Sequence, residues 1–235
     1  KTAVDMLEAL DCPFYKIDYF EITDFPFIEY AASKHLPMVL ATGIATEEDI
    51  QLAVEACRRM GNNDITVLKC TSSYPAPVEE ANLCMIRDLA ERFQVKSGLS
   101  DHTLGSVSPI VAVTQGASMI EKHFILNRSI GGPDCSFSME EKDFAQMVKD
   151  VRMAELSLGK TTYELTEKMR GSRSASRSLY VAEDMKAGEV ITERNVRSVR
   201  PGFGLHPKYL KDILGKNVNR DLEKGTRFAL EYVNG

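Results

Sequence analysis

Five short segments of this chain hold the residue types that do chemistry. They carry Lys16 and Glu21; Ala41-Thr42-Gly43; Cys70-Thr-Ser-Ser-Tyr-Pro75; Ser100-Asp-His-Thr103; and Glu121-Lys-His-Phe124. The first three together offer an ammonium, a carboxylate, hydroxyls and backbone amides, a set suited to holding phosphate or carboxylate. The last two each offer an imidazole, His102 and His123, and imidazole suits borderline metals such as Mn²⁺, Fe²⁺, Co²⁺ or Zn²⁺. Taken singly, each has an ordinary reading. Lysine snorkels over apolar surface, Ser72, Ser73 and Tyr74 before Pro75 are turn chemistry, and a lone histidine is often a satisfied polar residue. Glu21 alone reads as a surface acid. His35 and His206 join no such group.

What must position these residues is legible in the alternation of two textures. Runs rich in apolar and β-branched residues recur at 14–17, 37–40, 65–70, 95–99 and 118–124, and each chemical segment lies at or just after the end of one. Between them apolar residues recur at three- and four-residue spacing. Residues 46–60 are the clearest case: Ile50, Val54 and Cys57 form one face, and Glu47, Glu48, Glu55 and Arg58 the other. Thr46 caps the start and Gly61 supplies the stop. Apolar strands separated by amphipathic helices predict a parallel sheet covered by helices, part of a barrel or a doubly wound sheet. In a barrel, functional groups gather at the carboxyl ends of the strands. Adjacent strands lie about 4.8 Å apart, which brings both histidines within reach of one ion.

Composition narrows the class. Of 235 residues, 43% are hydrophobic and 27% charged, as in ordinary globular proteins. A net charge of −5 excludes a globally basic nucleic-acid binder. No stretch approaches the roughly 18 apolar residues of a membrane span. Five dispersed cysteines at 12, 57, 70, 84 and 135 read as reduced thiols, which predicts a cytoplasmic protein. The chain opens in a helix-like pattern without an initiator Met, so we expect it to be cut from something longer. After residue 158 the texture changes. Residues 159–177 read as a polar linker, most flexible at 171–176. Residues 178–235 are short, β-like and turn-rich. There, Asp184-Met-Lys-Ala-Gly188-Glu-Val-Ile191 is echoed by Asp221-Leu-Glu-Lys-Gly225-Thr-Arg-Phe228, at a period of about 37 residues. A small pseudo-symmetric β domain is expected, one strand-turn-strand unit per repeat.

Tyr15-Lys-Ile17, Glu21, Thr42-Gly43, Lys69-Cys-Thr-Ser-Ser-Tyr-Pro-Ala-Pro77, Gly98-Leu-Ser-Asp-His-Thr103 and Glu121-Lys-His-Phe124 resemble the sialic acid (nonulosonic acid) synthase family. Ser198-Val-Arg-Pro-Gly-Phe-Gly-Leu205 resembles that family's antifreeze-like (SAF) domain. Within the family, the Cys70–Pro77 motif looks more like the pseudaminic acid synthases; the N-acetylneuraminate enzymes usually carry Asn where Ser72 stands. The resemblance implies the last five β/α units of a TIM (β/α)8 barrel over residues 1–158, and an antifreeze-like domain over 178–235. It also implies three further units upstream, so the chain alone is expected to be inactive.

The implied reaction joins C3 of phosphoenolpyruvate to the aldehyde of an N-acylated amino sugar. Water adds at C2, and phosphate leaves by C–O cleavage. Transferred residue by residue, the resemblance gives Lys16, Thr42, Gly43, Ser72 and Ser100 to phosphoenolpyruvate, and Glu21 with Lys16 to catalysis. It gives His102 and His123 to a divalent metal, Mn²⁺ by expectation, and Tyr74, Asp134 and Arg200 to the sugar. Arg200 is implied to reach the partner subunit's site, hence a domain-swapped homodimer. Asp101 and Glu121 flank the site but are not assigned as ligands, because strand neighbours face opposite ways. Three positions depart from the family pattern. Tyr19 stands where many members have a small hydroxyl residue, Ala41 replaces a serine, and Ser174 stands where a linker aromatic packs on the sugar. Loss of such contacts fits a 6-deoxy sugar, 2,4-diacetamido-2,4,6-trideoxy-altrose, and thus pseudaminic acid as product. N-acetylneuraminate or legionaminate synthesis and a non-catalytic carbohydrate-binding scaffold are the alternatives.

Overall fold

The computed structural model describes residues 1–234. The chain divides into two compact units, one over Lys1–Lys160 and the other from Thr161 onward. In the first, helix α1 (Thr2–Ala9) leads into five β/α repeats. They run β1 (Tyr15–Ile17), α2 (Phe25–Ala32), β2 (Met38–Ala41), α3 (Glu47–Arg59), β3 (Ile65–Cys70), α4 (Met85–Phe93), β4 (Lys96–Asp101), α5 (Val107–Thr114), β5 (Ile120–Lys122) and α6 (Glu141–Leu158). The strands are parallel and in sequential order, β1-β2-β3-β4-β5, and form a half-barrel. All five expected strands are present, β3 with the bounds read from the sequence.

Local chemistry accounts for these elements. At α3, Thr46 Oγ1 accepts from Asp49 N–H at 3.2 Å while the Asp49 carboxylate accepts from Thr46 N–H at 2.9 Å, a capping box that satisfies two otherwise unpaired donors. Acids fill its first turn and Arg58 and Arg59 its last, complementing the helix dipole. Ile50, Val54 and Cys57 are buried with Ile28, Met38 and Leu40 in the layer between sheet and helices. Gly98 on β4 permits a close approach. A Cβ there would lie 2.5 Å from the Met119 carbonyl oxygen and 2.6 Å from Leu68 Cδ2. Any larger residue would push β4 off β5, and with it the site.

The segment expected as a polar linker is irregular over residues 159–166 and then turns helical. It contains α7 (Glu167–Ser172) and a short helical turn at Arg173–Ala175, just where flexibility was expected. Thr166 Oγ1 caps α7 by accepting from Met169 N–H at 3.2 Å. With no apolar stripe, this helix leaves no periodicity to read.

The second unit adds β6 (Ser178–Val181), antiparallel to β7 (Val196–Val199), and α8 (Leu210–Ile213). Its repeats do not fold as separate hairpins; they pair with each other. Met185 and Leu222 exchange both backbone hydrogen bonds. Asp184 accepts from Lys224 N–H at 2.7 Å, and Asp221 in the same way from Ala187 N–H at 2.9 Å. Gly188 donates to Val218 O and Gly225 to Val181 O. The internal echo in the sequence is a reciprocal two-fold bonding pattern.

Candidate active site

The site is built outward from β4 and β5. These strands pair in register, Ser100 opposite Glu121 and Asp101 opposite Lys122. Because side chains alternate along a strand, residues two apart share a face. Ser100 and His102 therefore follow one another on the inner face of β4, and Glu121 and His123 on that of β5. The four line one cleft of about 330 Å³ with Lys16, Asp18, Tyr19, Lys122 and Tyr74. The His102 and His123 ring centroids lie 5.2 Å apart. Alternation places Asp101 on the opposite face, as expected, but the same rule puts Glu121 beside His123. Glu121, expected only to flank the site, thus has its side chain in the cleft lining.

Glu121 organises the anionic side of the cleft. Its Oε1 accepts from Lys16 Nζ and from Ser100 Oγ, each at 2.9 Å. Asp18, unassigned from sequence, lies 3.7 Å from Lys16 Nζ. Burial disfavours the Lys16 ammonium, but the hydrogen bond and attraction of Glu121 outweigh it, so its pKa is raised above the usual 10.5. The cation is held in place and charged.

His102 is buried, and its Nδ1 lies 2.8 Å from the Thr71 carbonyl oxygen. A carbonyl only accepts, so Nδ1 carries the hydrogen and Nε2 presents its lone pair. Burial lowers the His102 pKa below 6.5 despite that hydrogen bond and keeps the ring neutral. A neutral imidazole oriented through its other nitrogen is the form that ligates a metal. His123 Nδ1 lies 3.8 Å from the Asp134 carboxylate, the one contact tying Asp134 to this group. Among the described residues no cluster of three or more His, Cys, Asp or Glu side chains is poised around an ion. The two imidazoles are a donor pair whose chemistry fits a divalent ion.

Aromatic rings close one wall. Tyr74 lies over His102 with centroids 4.3 Å apart, and Phe137, missed from sequence, packs 5.0 Å from His123. Tyr74 hydroxyl shares a 2.8 Å hydrogen bond with Tyr19 hydroxyl, and burial followed by that bond raises the Tyr74 pKa.

Several expected residues are elsewhere. Thr42 is buried and its hydroxyl donates to Leu68 O at 3.0 Å, so it is consumed in the sheet and does not face the cleft. Gly43 is covered: a Cβ there would lie 2.4 Å from Tyr19 Cγ and 2.6 Å from Ser72 Oγ. Ser72 is exposed beside it. Tyr19 fills the space between, against Ala41 and Cys70. Glu21 is exposed in the turns after β1, where its backbone N–H bonds Asp18 O and its carbonyl accepts from Asp24, and it does not reach the cleft. In the second unit, Arg200 is exposed at the end of β7, and Ser174 Oγ donates to Gly171 O at 2.8 Å.

Comparison with known proteins places this geometry. The NeuB family matches residues 1–163 and the SAF domain residues 176–227. The chain is 48% identical over 232 residues to the pseudaminic acid synthase of Helicobacter pylori, covering 98% of this chain and 68% of that protein. It is 44% identical to the pseudaminic acid synthase of Campylobacter jejuni (strain 81-176), covering 96% of this chain and 66% of that protein. The chain thus spans about two thirds of the length of these relatives. The crystal structure of the spore coat polysaccharide biosynthesis protein SpsE of Bacillus subtilis matches all of this chain and 71% of its own, with a TM-score of 0.66 and 29% identity. The chain belongs to the NeuB family, whose members condense phosphoenolpyruvate with an amino sugar.

Proposed function

We propose that the protein forms pseudaminic acid and phosphate from phosphoenolpyruvate, water and 2,4-diacetamido-2,4,6-trideoxy-altrose. The observation that carries this reading is the convergence of Lys16, Ser100 and Glu121 with the facing His102 and His123, in a chain 48% identical to a pseudaminic acid synthase. Lys16 and Ser100 bind the phosphate or carboxylate of phosphoenolpyruvate, a fixed cation and donor whose placement is set beforehand by Glu121. Ser72, given to phosphoenolpyruvate by the family resemblance, is exposed beside Gly43 and outside the cleft lining. Glu21 and Thr42 stay outside the assignment, since one is exposed on a turn and the other is bonded within the sheet. His102 and His123 would hold a divalent ion, Mn²⁺ in this reading, which would supply Lewis acidity for the sugar aldehyde.

Tyr74 shapes the sugar side with its ring over His102, and Asp134 approaches it through His123. Condensation forms the bond from C3 of phosphoenolpyruvate to the aldehyde carbon, and water adds at C2. Cleavage of the C2–O bond then releases phosphate. The Tyr19, Tyr74 and Phe137 rings form an aromatic wall on the sugar side. By family resemblance, Arg200 serves the partner subunit's sugar in a domain-swapped homodimer, and the enzyme works in the cytoplasm. No helix among the described residues is long and apolar enough to cross a membrane.

The test is Mn²⁺-dependent phosphate release by the full-length protein, offered the altrose sugar or N-acetylmannosamine. Release with the altrose sugar alone supports the reading. Release with N-acetylmannosamine alone assigns the protein to neuraminate synthesis instead.

A further inference from the structure

Asp101 and Lys122 form an ion pair that the reaction does not use. They stand directly opposite each other on β4 and β5, with side chains 1% and 2% exposed and a separation of 2.6 Å. Each immediately precedes a histidine of the cleft, His102 or His123. Their bonds extend into the turn beyond His102. Asp101 Oδ1 accepts from Thr103 N–H at 2.9 Å and from Thr103 Oγ1 at 2.8 Å, and Lys122 Nζ also donates to Thr103 O. Thr103 Oγ1 in turn contacts Ser108 Oγ at the start of α5. On the other strand, Met139 N–H donates to His123 O.

A buried pair is a poor device for stability alone, because desolvating two charges costs about as much as their attraction returns. Its use here is geometric. β5 is only three residues long and pairs with β4 alone in its sheet, so few backbone bonds hold His123 opposite His102. We infer that Asp101 and Lys122 are positioning residues. Their ion pair locks β5 to β4 and fixes the turn after His102, setting the separation of the two imidazoles for a divalent cation. This rests on the reading of His102 and His123 as the metal pair, and it adds two residues whose buried side chains act on the histidines through the strands that carry them.

The experiment is a titration of the full-length protein with Mn²⁺ alone, following the electron paramagnetic resonance of the free ion, with no turnover required. Wild type, His102→Ala, Lys122→Met, Lys122→Arg and Asp101→Asn are compared, with a thermal melt to establish that each is folded. Lys122→Met and Asp101→Asn are expected to weaken Mn²⁺ binding on the order of tenfold or more. Lys122→Arg, which keeps a cation and its donors, recovers most of that affinity, and His102→Ala abolishes the site. Wild-type affinity in folded Lys122→Met or Asp101→Asn overturns the positioning role and leaves the histidine pair standing. Absence of stoichiometric Mn²⁺ binding in the wild type overturns both.

Discussion

The β4–β5 end of the sheet and the β1–β3 end both carry candidate residues, and they contribute unequally to the cleft. At β4–β5 the chemical residues sit within or one step beyond regular strands in register. Strand alternation alone sends Ser100, Glu121, His102 and His123 into the cleft and Asp101 away from it. At β1–β3 the placements are mixed: Lys16 lies inside β1 and Thr42 one step beyond β2, while Glu21 and Ser72 lie further on, where no period dictates direction. Lys16 reaches the cleft, whereas Thr42 turns its hydroxyl to Leu68 O and Glu21 points to solvent. A catalytic motif is as readable as the element that carries it is regular.

The largest effect that would sharpen this contrast comes from β4–β5. Replacing both His102 and His123 by Ala should lower phosphate release on the order of 10³-fold, with Mn²⁺ binding lost. Steady-state assays at saturating metal check this, and a loss under tenfold would break it. At β1, Lys16→Met removes the cation held by Glu121 and should raise the KM for phosphoenolpyruvate by about 100-fold, equivalent to about 3 kcal/mol. A larger effect on the KM for the sugar would reverse the assignment of the two sides.

Smaller effects are expected where Tyr19 has taken over the β1–β3 end. Gly43→Ala drives a methyl into the Tyr19 ring and should cost about 1–3 kcal/mol of stability by thermal melt. Tyr19→Ser beside it should restore part of that loss. Tyr19→Phe keeps the packing but removes the hydroxyl bonded to Tyr74, and should raise the KM for the sugar about fivefold, or about 1 kcal/mol, leaving that for phosphoenolpyruvate unchanged. The smallest effect is a pH limb. With its pKa raised, Lys16 stays charged past pH 10.5, so its pairing with Glu121 is intact below that pH and is lost only as pH rises through the raised value. The KM for phosphoenolpyruvate should therefore stay flat to pH 10 while circular dichroism remains native. An earlier rise would show that the pair does not form.

Residue types and their periodicity determined much of this protein: five strands, the capped helix α3, the parallel order, the internal echo of the second unit and the meeting of two histidines. These are set by local bonding and by burial of one face, which leave a periodic trace in the chain. Only the tertiary structure decided which candidates touch. Glu121 as the common acceptor of Lys16 and Ser100, Tyr19 over Gly43, and Asp101 clamped to Lys122 all join residues far apart in sequence. So does the reciprocal pairing of the two repeats. Such contacts satisfy buried polar groups or fill space between elements, and a chain carries no period for partners it meets only after folding.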